Sequence, residues 1–272
     1  MTSAPASPEI DPTDRPARPT VAEVRAVGQP PGLLDRSEEQ WVGRLYLRRL
    51  SPHVTRMLLR TPVTANGVTW LMVVAGLLAA AVLTLPGVWP AVAGVVLIQA
   101  QILFDCVDGE MARWARQRSA VGVYLDRIAH SVTESALPIA VGIRADGGWN
   151  EIGTWTVWGL VAGLLVLLVK VETSEVEVAR AEAGRPPLHH GPAVRAPRHS
   201  GLRRLRRLVG FVPFFRLWLA VEASLLALVA AIVDAVADDL AGSRVLTAAF
   251  VVAAAVTVVG HLAAILASDR LR

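Results

Sequence analysis

Residues 104–130 read FDCVDGEMARWARQRSAVGVYLDRIAH, and this stretch, which lies between two apolar runs, decides the fold. It holds three aspartates, Asp105, Asp108 and Asp126. A carboxylate at the end of a membrane helix is energetically costly, and converging carboxylates repel one another unless a cation lies between them. We therefore interpret the stretch as a divalent-metal site at a membrane surface.

The apolar residues outside this stretch are concentrated in blocks. Hydrophobic residues make up 53% of the 272-residue chain, which is too apolar for an average soluble domain. Six apolar runs are each close to the roughly 20 residues that a helix needs to cross a bilayer. They predict an all-α, polytopic membrane protein with six transmembrane helices. The predicted spans are 68–86, 88–106, 121–143, 152–171, 212–233 and 245–267.

The chain before residue 63 has a different character from this six-helix domain of residues 63–272. Residues 1–36 are rich in proline, alanine and acidic residues and show no apolar period. They predict a disordered tail, and without a basic start and an apolar core they do not resemble a signal peptide. Residues 37–62 mix apolar and arginine positions at helical spacing, which predicts an N-terminal interfacial helix on the membrane, broken or bent at Pro52. A solvated helix that packs on its own protein is the alternative.

The arginines are distributed unevenly between the two sides of the predicted membrane domain. Nine precede residue 66, and the 173–210 loop carries RRLRR at 203–207, whereas the opposite connections hold only Arg144 and Arg244. This asymmetry predicts a multi-pass protein of the cell membrane with both termini in the cytoplasm. The formal charge of +4 then reflects basic loops that face anionic membrane lipids, and no nucleic-acid partner is expected. His189, His190 and His199 in this loop lack metal-ligand spacing.

The helical spacing of the acidic residues predicts how they converge. Asp105 and Asp108 are three apart, and Asp126 and His130 are four apart, so each pair shares one helix face. A short turn through residues 114–120 can bring the two faces together. Oxygen ligands with one imidazole favour Mg²⁺ or Mn²⁺ over zinc.

Two further residues of the stretch indicate the ligand of this site. Gly109 leaves room for a ligand to approach the backbone, and Arg113 can place its guanidinium on a phosphate. We therefore predict a pyrophosphate-containing substrate, with chemistry by electrostatic clamping. A transporter is disfavoured because we see no inverted repeats and the acids cluster at one membrane face.

The spacing of these residues resembles the signature motif of the CDP-alcohol phosphotransferase (phosphatidyltransferase) family. The motif reads Asp, two residues, Asp-Gly, two residues, Ala-Arg, eight residues, Gly, three residues, Asp, three residues and a last Asp. Asn66 and Thr69 resemble a weaker family motif before the first span, and the resemblance covers roughly residues 60–270. The matching positions are Asp105, Asp108, Gly109, Ala112, Arg113, Gly122 and Asp126.

This resemblance implies a reaction and its participants. A CDP-linked lipid donor passes its phosphoryl-alcohol group to the hydroxyl of a small-alcohol or lipid acceptor, and CMP leaves. The resemblance implies that Asp105, Asp108 and Asp126 hold two divalent cations, Mg²⁺ or Mn²⁺. It also suggests a homodimer. The residues implied for the CDP pocket are Gly109, Ala112, Arg113, Gly122, Asn66 and Thr69.

The departure from the motif is His130, which stands where the family has its last aspartate. We expect His130 to act as the base for the acceptor hydroxyl and as a metal ligand, because neutral imidazole suits proton transfer near neutral pH. Glu134, one turn later, is expected to accept a hydrogen bond from His130 and orient its ring. The alternatives are a packing role for His130 in a weakened or inactive protein that binds metal and nucleotide as a regulatory subunit, and a protonated Glu134 bonded to a helix carbonyl.

Other charged residues also lie in or near the predicted spans. Arg127, Lys170 and Arg216 fall at predicted cytoplasmic helix ends, where they either line an anionic acceptor pocket or extend to lipid headgroups. Glu110 is expected to face solvent or to support the site indirectly. Glu222 and His261 lie inside the last two spans, and the sequence names no partner for either.

Overall fold

The structure is a computed structural model that describes residues 15–16, 18–33, 40–116, 119–186, 216–268 and 271. All regular structure within these ranges is helical. The predicted 203–207 cluster, His189, His190 and His199 lie outside the described residues. The helices are α1 (Val21–Gly28), α2 (Arg48–Leu58), α3 (Ala65–Leu83), α4 (Val88–Trp114), α5 (Ala120–Ala145), α6 (Thr154–Glu182), α7 (Ala220–Ala237) and α8 (Ala241–Leu266).

Five of these helices are long and apolar enough to cross a membrane: α3, α4, α6, α7 and α8. The protein is therefore an all-helical, multi-pass membrane protein. Helix α5 coincides with the third predicted span and has 26 residues, but it is not among the five. It carries Asp126, Arg127 and Glu134, and charged side chains lower the mean hydropathy of a segment.

Several helix ends differ from the predicted spans. Helix α4 continues to Trp114, so the motif aspartates lie within a regular helix and not beyond its end. Helix α6 continues to Glu182 instead of ending at residue 171, because its polar extension, ETSEVEVARAE, is rich in helix-forming residues. Helix α7 begins at Ala220 and not at residue 212; residues 212–215 lie outside the described part of the chain.

The N-terminal segment contains a helix where a disordered tail was predicted over residues 1–36. Helix α1 begins with a capping box: Thr20 Oγ1 accepts a hydrogen bond from the Glu23 N–H, and the Thr20 N–H donates to the Glu23 carboxylate. Capping of this kind satisfies backbone donors that would otherwise lack partners in a short helix. The prediction of disorder is therefore wrong at residues 21–28.

Pro52 does not break the next helix. A π-helical turn, Gly43–Leu47, leads directly into α2, which continues through Pro52. Proline lacks an N–H, so it leaves the carbonyl four residues earlier, that of Arg48, without its helical donor. The side-chain amide of Gln29 replaces that donor, since Gln29 Nε2 lies 2.6 Å from the Arg48 carbonyl oxygen. This bond from outside the helix explains why the proline is tolerated.

The described chain forms two compact units, and helices α3, α4 and α5 contribute residues to both. The first unit draws on Met1–Gly76 and Leu97–His130, and the second on Leu77–Val96 and Ser131–Arg272. The core of the first unit joins α2, α3 and α4 through Val68, Val107 and Met111, against which Leu58 packs. This apolar contact holds the motif half of α4 on its neighbours.

Glycines allow close helix packing in the second unit. A side chain on Gly142 of α5 would place its Cβ 2.6 Å from the Trp155 carbonyl oxygen and 2.7 Å from the Cα of Gly159 on α6. Such distances require residues without side chains, as in other membrane helix pairs. Helices α6 and α8 meet in an apolar cluster that includes Val166 and Ala254.

Candidate metal centre

Two helix ends of the first unit bring three potential metal ligands together. Asp105 lies on α4, which ends at Trp114, and Asp126 and His130 lie one turn apart on α5, which begins at Ala120. His130 Nε2 lies 3.5 Å from Asp105 Oδ1 and 3.6 Å from Asp126 Oδ1. One ligand atom from each residue lies within 4.8 Å of the others. These three side chains converge as the sequence predicted.

The chemistry of this group fits a divalent cation. Asp126 Oδ1 is buried, and none of the described residues donates a hydrogen bond to it. This oxygen therefore lies close to the His130 imidazole without the donor that a buried polar atom normally has. A divalent cation between Asp105 and Asp126 would supply the missing positive charge, and oxygen ligands with one imidazole are acceptable to Mn²⁺ and Mg²⁺.

Asp108 has a different environment from the other two aspartates. It is 9% exposed, and its Oδ2 accepts a hydrogen bond of 2.7 Å from the Thr69 hydroxyl. Thr69, which was predicted to contact the CDP group, thus holds a motif carboxylate from α3. The group of three ligands found among the described residues does not include Asp108.

The glycines of the motif admit neighbouring side chains. A Cβ on Gly109 would lie 3.1 Å from Arg113 Nη1, so the guanidinium lies against the backbone of α4. A Cβ on Gly122 would lie 3.1 Å from Asn66 Oδ1, so the absence of a side chain lets Asn66 approach α5. Ala112 is partly buried on α4. The small residues of the motif therefore make room for Arg113 and Asn66.

The middle part of the chain matches a known protein family. Residues 62–196, about half of the chain, match the family described as CDP-alcohol phosphatidyltransferase. The chain belongs to this family. No curated protein matches the chain significantly. The matched range contains the whole motif from Asp105 to Asp126 and begins after α2, so α1 and α2 lie outside it.

Glu134 of this family member has a partner that the sequence did not indicate. In the second unit, Glu134 is 3% exposed and its Oε2 lies 2.5 Å from Lys170 Nζ on α6. A buried acid on α5 is thus neutralised by a cation on the neighbouring helix, as charges inside membrane proteins commonly are. The hydrogen bond from His130 to Glu134 stays a prediction.

Other charged residues of the second unit are also paired. Arg216 Nη2 lies 2.8 Å from Glu222 Oε1, and His261 Nδ1 lies 3.0 Å from Glu172 Oε2. These pairs supply the partners of Glu222 and His261 that the sequence did not reveal. Since Lys170 and Arg216 are each engaged by a carboxylate, a role for them in anion binding stays a prediction.

Sequence reasoning did not identify the partners of Glu110 in the first unit. This residue is fully buried, and it was expected to face solvent or to support the site indirectly. Its carboxylate accepts hydrogen bonds from Ser51 Oγ at 2.5 Å and Thr55 Oγ1 at 2.6 Å, both on α2. The signal that could have identified it is the pair of hydroxyls four residues apart on one face of an arginine-rich helix.

Proposed function

We propose that this family member transfers a phosphoryl-alcohol group, most simply a phosphatidyl group, from a CDP-alcohol to an acceptor hydroxyl with release of CMP. The reaction would take place at the cytoplasmic leaflet in phospholipid synthesis, with both termini in the cytoplasm and α5 as the sixth span. The observation that supports it is the convergence of Asp105, Asp126 and His130 within an otherwise intact family motif. Family members are transferases, which agrees with this reaction.

The residues of the first unit would have separate roles in this reaction. Asp105 and Asp126 would hold divalent cations, with Asp108 oriented by Thr69 beside them, and His130 would be a further ligand only while its Nε2 carries no proton. When bound, divalent cations would polarise the diphosphate and stabilise negative charge on the departing CMP. Arg113, which lies against the bare backbone of Gly109, would bind a phosphate oxygen of the donor through its guanidinium.

His130 would act as the base. The acceptor oxygen forms its bond to the donor phosphorus, the bond from that phosphorus to the CMP oxygen breaks, and the hydroxyl proton passes to His130 Nε2. The carboxylates of Asp105 and Asp126 face this nitrogen at 3.5 and 3.6 Å. They are placed to stabilise the positive charge that the imidazole gains.

Basic residues would bind the acceptor in this reaction. Arg127 is exposed on α5 directly after Asp126, where a guanidinium would be placed to bind an anionic group of the acceptor. In the second unit, Lys170 and Arg216 would bind an anion only if it displaced the carboxylates that now engage them. A homodimer in the membrane is part of the same proposal.

A second candidate function is a catalytically inactive family member that binds metal and nucleotide as a regulatory or assembly subunit. The same distances favour it, because a protonated His130 could pair with Asp105 and Asp126 in the absence of a metal ion. The two functions differ in one product, since only the enzyme releases CMP.

The experiment incubates purified protein with a panel of CDP-linked donors and acceptor alcohols in Mn²⁺ or Mg²⁺ and measures CMP. We expect CMP release from at least one pair, loss of release in Asp105→Asn and Asp126→Asn, and a loss of at least tenfold in His130→Ala, in line with the usual contribution of general bases of about 10² or more. Metal-dependent CMP binding without turnover would support the inactive subunit. Unchanged turnover in His130→Ala would remove the base from the mechanism.

A further inference from the structure

The face of α4 that points away from the metal ligands carries a buried charge. Successive helix residues are rotated by about 100°, so Glu110 projects about 160° from Asp108. Its side chain is 0% exposed, and buried carboxylates are costly unless donors surround them. The donors around it come from segments that lie outside the residues matched by the family.

Three neutral donors and one cation surround the Glu110 carboxylate. Oε1 accepts hydrogen bonds from Ser51 Oγ at 2.5 Å and Gln29 Nε2 at 2.8 Å, and Oε2 accepts one from Thr55 Oγ1 at 2.6 Å. Arg48 Nη1 lies 3.9 Å from Oε1. The Glu110 carboxylate therefore links α4 both to α2 and to Gln29, the residue that follows α1.

The N-terminal segment, by which we mean the described residues from Arg15 to Gln29, also contacts Arg113, the arginine of the motif. The Gly28 carbonyl oxygen, next to Gln29 in the chain, accepts a hydrogen bond of 2.6 Å from Arg113 Nε. Gly28 fits because it has no side chain: a Cβ there would lie 3.0 Å from Glu110 Cγ. On the other side, Arg15 Nη1 donates to the Arg113 carbonyl oxygen at 2.7 Å. Arg113 is thus oriented by residues more than 80 positions earlier.

We infer that Glu110 is a positioning residue for donor binding. It holds Gly28 and Gln29 against α4, and the Gly28 carbonyl in turn fixes the Nε end of the Arg113 guanidinium so that its remaining donors point towards the diphosphate. The N-terminal segment is thereby a working part of the donor site, although it touches no substrate itself. This inference rests on the proposed function, because it assigns Arg113 to the nucleotide.

The test measures how tightly CMP binds in the presence of Mn²⁺, using the full-length protein. Gln29→Ala removes the bonds of its side chain to Glu110 and to the Arg48 carbonyl oxygen and leaves the motif residues in place. We expect it to weaken CMP binding by about tenfold, the effect of one hydrogen bond to a charged group, with unchanged Mn²⁺ affinity. Glu110→Gln should weaken binding less than Glu110→Ala, because an amide keeps an acceptor oxygen.

The matched control breaks another bond of the same segment that does not involve α4. Arg56 Nε donates to the Pro19 carbonyl oxygen at 3.0 Å, and Arg56→Gln should leave CMP affinity within about twofold, the scatter of a surface substitution. A melting curve of each variant separates weakened binding from loss of the fold. If Glu110→Ala fails to fold, Gln29→Ala still tests the inference.

A double-mutant cycle decides whether the effect passes through Arg113. In an Arg113→Ala background, Gln29→Ala should weaken CMP binding by less than about twofold, because the side chain to be positioned is gone. An unchanged tenfold effect in that background, or a Gln29→Ala protein that binds CMP like the wild type, would overturn the inference alone. A wild-type protein that binds no CMP would overturn the proposed function and the inference with it.

Discussion

His130→Asp restores the family aspartate and makes a sharp test of the candidate metal centre. In the present structure the imidazole lies 3.5 Å from Asp105 and 3.6 Å from Asp126. Replacing it with a carboxylate puts three acidic side chains around one point. Without a cation these charges repel one another, and with a divalent cation they become a stronger ligand set.

The size of the effect follows from the distances. An aspartate is shorter than a histidine, so its carboxylate would lie about 5 to 6 Å from the carboxylates of Asp105 and Asp126. At this distance each pair of carboxylates repels by about 0.8 kcal/mol in water and by about 3 kcal/mol at an effective dielectric constant of 20. The two pairs together should destabilise the metal-free fold by about 2 to 6 kcal/mol. At about 2 to 4 °C per kcal/mol for a chain of this size, the melting midpoint should fall by at least about 4 °C.

The assay records melting midpoints of purified protein in excess EDTA and in excess Mn²⁺. We expect the difference between the two midpoints to grow by at least about 4 °C in His130→Asp relative to the wild type. His53→Asp is the matched control, because His53 is exposed on α2, and it should leave the difference unchanged. A His130→Asp protein whose EDTA and Mn²⁺ midpoints differ no more than those of the wild type would refute a shared cation.

Three further predictions concern the second unit. Arg144 is 1% exposed, donates to the carbonyls of Leu85 and Gly87, and lies 3.9 Å from Asp234 Oδ2. Arg144→Met should therefore lower the free energy of unfolding by about 3 to 5 kcal/mol in a denaturant titration, and a loss below about 1 kcal/mol would contradict this. Burial opposes the charge of Asp146, but the N–H groups of Thr156, Gly153 and Trp155 and the Thr156 hydroxyl outweigh it and hold the pKa of Asp146 below its usual value. The wild type should therefore be more stable than Asp146→Asn above about pH 4 and lose this advantage as the pH falls through the lowered pKa, and a difference that does not depend on pH would count against it. Gly142→Ala should lower the melting midpoint of the protein, because its Cβ would lie 2.6 Å from the Trp155 carbonyl oxygen. Gly260→Ala on α8 is the control: its Cβ would have no neighbour within 4 Å, and the midpoint should stay the same or rise.

The convergence of Asp105, Asp126 and His130 and the membrane helices could be predicted from the sequence because both depend on local periodicity. Asp126 and His130 share a face through the pitch of one helix, and that helix begins at Ala120, soon after the helix bearing Asp105 ends at Trp114. Apolar blocks of bilayer length predicted the five candidate spans in the same way. Local patterns missed the extension of α6, since polar residues continue a helix as readily as apolar ones.

Tertiary structure alone decided how the buried charges are neutralised. Glu110 is bonded to Gln29, 81 positions away, and Glu134 is paired with Lys170 on another helix. A sequence shows that a charge is costly in an apolar surrounding, but the choice of partner depends on which helices pack together. The amino-acid sequence by itself therefore determined the candidate membrane helices and the Asp105–Asp126–His130 group, whereas the fold determined that an N-terminal segment orients Arg113, because that contact joins residues far apart in the chain.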